Sequence, residues 1–119
     1  LAAQQSIEAF ISATTAISPI AETGKLVRTL AGTYPMAVGT NAEIEVATAS
    51  LLAVGLSNYF TSIVSISDGY PAKPAPDIFS TAAQRLGVSS ARTLVFEDSP
   101  EGVSAAIAAG SDVVQVLHS

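Results

Sequence analysis

Short apolar runs alternate along this chain with segments of helical period, and Gly or Pro marks nearly every change between them. The runs are Pro35 to Gly39, Thr61 to Ile66, Thr93 to Phe96 and Val113 to Leu117. Pro35 to Gly39 is apolar throughout, the signature of a strand buried on both faces of a parallel sheet. Between them, Ala42 to Val54 places Ile44, Ala47, Leu51 and Leu52 on one side, and Pro76 to Leu86 is striped by Ile78, Phe79, Ala82, Ala83 and Leu86. A third helix is expected from a Ser99 cap, with Pro100 and Glu101 in its first turn, to Gly110. Two helices are expected upstream of the first strand. Ile7, Phe10, Ile11 and Thr14 recur at helical spacing over Leu1 to Thr15, and Leu26, Val27 and Leu30 mark the second over Ile20 to Ala31. This order predicts a three-layer, doubly wound α/β fold.

A chain of 119 residues holds one domain at most. It is 49% hydrophobic and 13% charged, which supplies a core and argues against disorder. With 5 basic and 10 acidic side chains the net charge is −5, so no footprint for nucleic acid or an anionic membrane is expected. The absence of cysteine excludes disulfides and thiolate metal sites. No apolar run reaches the roughly 18 residues of a spanning helix, and the N-terminus lacks the order of a signal peptide. A cytoplasmic location is the default expectation. Leu1 in place of Met points to a chain trimmed, processed or incompletely traced at that end.

Ligands of open parallel sheets collect beyond the carboxyl ends of the strands, where helix N-termini present unpaired N–H groups. Thr40 and Asn41 follow the first strand there, and their hydroxyl and amide could cradle an oxyanion or simply cap the next helix. Lys73 lies in a loop stiffened by Pro71, Pro74 and Pro76. That stiffness favours a fixed task for its ammonium, against the alternative of a solvated lysine. Glu97 and Asp98 end the apolar strand Leu94-Val95-Phe96. Adjacent carboxylates emerging from a core strand repel one another, which a hard divalent ion, Mg²⁺ by preference, would relieve. The competing reading makes Asp98 a helix cap and leaves Glu97 solvated. Asp77, in a first helical turn, is expected to support the site from behind; Asp68-Gly69 reads as a turn and His118 as a surface residue.

The ordered set Val38-Gly39-Thr40-Asn41, Lys73-Pro74-Ala75-Pro76-Asp77-Ile78-Phe79 and Val95-Phe96-Glu97-Asp98-Ser99-Pro100-Glu101-Gly102 closely resembles the haloacid dehalogenase-like (HAD) hydrolase superfamily. The branch it is most similar to holds β-phosphoglucomutase and small sugar-phosphate phosphatases. The resemblance implies that Thr40 and Lys73 are catalytic, that Thr40, Asn41 and Lys73 bind phosphate, that Glu97 and Asp98 hold Mg²⁺, and that Asp77 and Ser99 support them. It implies Mg²⁺-dependent phosphoryl transfer on a small phosphorylated metabolite, by a phosphatase or phosphomutase.

The family's first motif, a nucleophilic aspartate with a second aspartate on the first strand, would precede Leu1, and no Asp-x-Asp-x-Thr segment occurs. By this resemblance residues 1–18 are the last helix of an inserted cap domain, and residues 19–119 are an incomplete core lacking its first strand. The chain by itself is then expected to be inactive, with a vacant strand position or a direct closure of its two neighbours. The alternative is a non-catalytic truncated protein that acts through a homo-oligomer or a partner strand at that position.

Overall fold

Five parallel strands form one sheet in the order β3-β2-β1-β4-β5. In chain order they are β1 (Ala9–Ser12), β2 (Met36–Thr40), β3 (Ser62–Ser65), β4 (Thr93–Glu97) and β5 (Asp112–Gln115), and the helices between them are α1 (Ala21–Leu30), α2 (Ile44–Ala53), α3 (Asp77–Arg85) and α4 (Pro100–Ala109). The structure, a computed structural model, describes residues 9–12, 21–53 and 55–115.

Two apolar clusters make the layers. On one face, α3 and α4 bury Ile78, Phe79, Ala82, Ala83, Ala105 and Ala106 against Ala37, Val64 and Val95 of the sheet. On the other, Val27 of α1 and Leu51 of α2 meet Met36 and Val38. Successive residues of β2 thus feed opposite cores, which is why that run had to be apolar throughout. Gly39 lets α3 approach β2 closely, because a Cβ there would lie 2.9 Å from Ile78 and 3.0 Å from Phe79. Among the described residues no helix is long and apolar enough to cross a membrane.

The three-layer, doubly wound arrangement matches the expectation, and element ends moved by one or two residues. Pro76 caps α3 and does not enter it.

Residues 9–12 depart from the expected helix. They form a strand, and that strand fills the central position thought vacant. Phe10 lies in register with Met36 on one side and Leu94 on the other, and Ser12 with Val38 and Phe96. The oligomer expected to enter through that position therefore loses its opening. Ala9-Phe10-Ile11 is too short a run for periodicity to separate helix from strand. Unpaired N–H and C=O groups along both β2 and β4 decide the matter, since a strand between them satisfies both ladders at once. Residues 1–8 and 13–18, which carry the rest of the expected cap helix, and His118 lie outside the described residues.

Candidate active site

The carboxyl end of β4 carries Glu97, a side chain held at both carboxylate oxygens. Alternation along the strand turns Thr93, Val95 and Glu97 to the α3/α4 core, so Glu97 enters as a buried carboxylate, 1% exposed. Its Oε1 accepts hydrogen bonds from the backbone N–H of Asp98 (3.0 Å), from that of Ser99 (3.1 Å) and from the Ser99 hydroxyl (3.0 Å). Oε2 accepts from Lys73 Nζ at 2.9 Å. Ser99 Oγ in turn accepts the Gly102 N–H at 3.1 Å, capping α4 as expected. Gly102 packs its backbone directly on Glu97, and a Cβ at that position would overlap the carboxylate. Burial pushes the Glu97 carboxyl above its ordinary value of 4.5, and the opposing pull of the Lys73 ammonium and of the Lys73 and Ser99 hydrogen bonds does not cancel it.

Lys73 reaches Glu97 from the loop before α3, with its side chain only 6% exposed. Its Nζ also sits 4.9 Å from the centre of the Phe79 ring, a cation–π contact that steadies the ammonium on its apolar side. The solvated lysine is excluded. The structure also revises the argument for a metal, because the cation that relieves the acid pair is Lys73 itself.

The loop after β2 completes the face. Thr40 Oγ1 accepts the Ala42 N–H at 3.0 Å in a tight turn, which leaves the hydroxyl proton to donate. The Asn41 side-chain oxygen accepts the Lys73 backbone N–H at 2.8 Å. The start of α2 is capped from a different loop, where Ser67 Oγ accepts the Ile44 N–H at 2.9 Å. Asn41, Lys73, Glu97, Asp98 and Ser99 thus form one continuous chain of hydrogen bonds across the strand ends.

Asp77 does not join that chain. It is exposed in the first turn of α3, where its charge favours the helix dipole. Asp68 has the turn role expected of it: it closes a capping box with Ser65 and pairs with Arg85 at 3.6 Å. Phe79 beneath the ammonium, Gly102 against the carboxylate and Ser67 on α2 escaped the sequence reading. The first two belonged to motifs already noted, but only packing reveals what they touch.

Among the described residues no group of three His, Cys, Asp or Glu could hold a metal. The donor chemistry still fits Mg²⁺, which takes one or two carboxylates and fills its remaining positions with phosphate oxygens and water. Asp98, half-buried just past the end of β4, suits that task; Glu97 already has both oxygens engaged.

A lysine and two carboxylates thus gather at the carboxyl ends of a doubly wound parallel sheet, where ligands of such folds collect. Residues 2–110 match the haloacid dehalogenase-like hydrolase family, and the chain belongs to it. It is 45% identical over 91 residues to the fructose-1-phosphate phosphatase YqaB of Escherichia coli, covering 76% of this chain and 48% of that protein. In structure it is similar to a HAD family hydrolase from Deinococcus radiodurans with bound phosphate and sodium, with a TM-score of 0.72 and 36% identity over 79% of this chain and 42% of that one. It is also similar to CbbY from Rhodobacter sphaeroides in complex with phosphate, with a TM-score of 0.73 and 27% identity over 81% and 44%. The chain spans about half the length of the curated relatives it matches.

Proposed function

We propose that the full-length protein carrying this chain transfers the phosphoryl group of a small phosphate monoester, a sugar phosphate foremost, to water or to a second hydroxyl. The observation that carries this reading is the Lys73–Glu97 pair. A buried ion pair is a poor way to gain stability, since desolvation offsets much of its attraction, and a fixed ammonium beside a strand-end carboxylate is well suited to meeting a phosphoryl group. The matches to a fructose-1-phosphate phosphatase and to phosphate-bound relatives support the substrate class.

In this reading Lys73 offsets charge on the transferring group, Thr40 donates its hydroxyl proton to a phosphoryl oxygen, and Asp98 is the carboxylate that holds Mg²⁺. Glu97 fixes both neighbours, holding the ammonium with one oxygen and the Asp98 and Ser99 amides with the other. Bound Mg²⁺ would supply charge neutralisation on the phosphoryl oxygens.

The test is turnover of p-nitrophenyl phosphate by the full-length protein with Mg²⁺. Asp98→Ala is expected to lower kcat/KM by at least about a hundredfold, as loss of a group stabilising the transition state does. The 119-residue chain alone, which has no Asp-x-Asp-x-Thr segment, is expected to give no turnover. Full activity in Asp98→Ala would overturn the assignment.

A further inference from the structure

We infer that Asn41 is a positioning residue for Lys73. The inference deepens the proposed phosphoryl chemistry and rests on it for its kinetic arm. The loop from Pro71 to Pro76 contains three prolines and so has few backbone donors with which to tie itself down. The Ala75 N–H is spent inside the loop, on the Ala72 carbonyl at 3.1 Å. The Lys73 N–H leaves the loop and meets the Asn41 side-chain oxygen at 2.8 Å. That oxygen is the acceptor half of the amide, so the contact draws on none of its N–H donors.

Lys73 is therefore held at two points. Its backbone is tied to the β2 loop by Asn41, and its ammonium to the β4 loop by Glu97. A lysine side chain has several rotatable bonds, so a contact at its tip alone leaves the backbone behind it a range of positions and the ammonium less firmly held. Fixing both ends sets the height of the charge relative to Thr40, the residue beside Asn41. On the proposed function, the geometry thus links the residue that meets phosphate after β2 to the one that meets it before α3, through the Asn41 side chain.

The experiment compares Asn41→Ala with Asn41→Asp, which keeps an acceptor oxygen, in the full-length protein. Residue-resolved amide hydrogen exchange reads the tether directly: exchange at the Lys73 N–H is expected to speed up by roughly fivefold to tenfold in Asn41→Ala and to stay near wild type in Asn41→Asp. On p-nitrophenyl phosphate, Asn41→Ala is expected to lower kcat by about fivefold with KM little changed, the pattern of a misplaced charge in the transition state. Unchanged Lys73 exchange in Asn41→Ala, or a loss confined to KM, would overturn the inference. A wild-type protein with no turnover would sink the phosphoryl reading instead, and the exchange result alone would then decide the tether.

Discussion

Both ends of β4 close the α3/α4 side of the sheet with buried polar contacts, and only one end uses charge. At the start of the strand, Thr93 is fully buried, donates to the Ser90 carbonyl at 2.7 Å and shares a 2.8 Å hydrogen bond with Ser111. At its finish, two and four residues further along the same face, come Val95 and then Glu97 on Lys73. Neutral hydroxyls satisfy one another with little desolvation, so the Thr93 end reads as structure. The ion pair demands far more of its surroundings. Three donors on Oε1, an aromatic ring under the ammonium and a glycine pressed on the carboxylate all serve to keep one charge pair in place. A protein that needed only to seal the strand could have repeated the cheaper solution.

The contrast breaks most visibly if one charge is removed. Lys73→Met leaves Glu97 buried without its counter-ion and is expected to destabilise by about 3–5 kcal/mol, while Lys73→Met with Glu97→Gln recovers most of that loss. Urea unfolding of the single and double variants reads both. Thr93→Val tests the neutral end. It strands the Ser111 hydroxyl and is expected to lose about 1–2 kcal/mol in the same measurement, with catalytic parameters of the full-length protein unchanged.

The smallest effect is in pH. The folded Glu97 pKa lies above its unfolded value of 4.5, so the folded state binds more protons between the two. The contribution is fully present below 4.5 and is lost as pH rises through the folded value. Unfolding midpoints followed upward from pH 4 are expected to carry this decline, and Glu97→Gln to flatten it. A Gln variant with the wild-type slope would assign the dependence elsewhere.

The charged end was more legible in sequence than the neutral one. Lys73, Glu97 and Asp98 stood out because charges beside prolines or at the end of an apolar run are conspicuous in a chain that is 13% charged. Their pairing was not legible. A repulsion argument applied to Glu97 and Asp98 asked for a metal, and only the fold shows that a lysine from a distant loop arrives first. Thr93 and Ser111 carried no signal at all, because a hydroxyl in a strand is equally at home against water. The helical stripes of α3 and the Ser99 cap of α4 were read correctly since caps and periodicity are local properties. Ala9–Ser12 was misread because its conformation is set by two strands that lie far along the sequence.

That inserted strand also acts as a spacer. The β2–β3 pair carries Thr40 and Asn41, the β4–β5 pair carries Glu97 and Asp98, and β1 alone joins the pairs within the sheet. Neighbouring strands lie about 4.8 Å apart, so inserting one strand holds the two loop groups about 10 Å from each other. That separation is fixed by the repeat of backbone ladders and is indifferent to the side chains that line it.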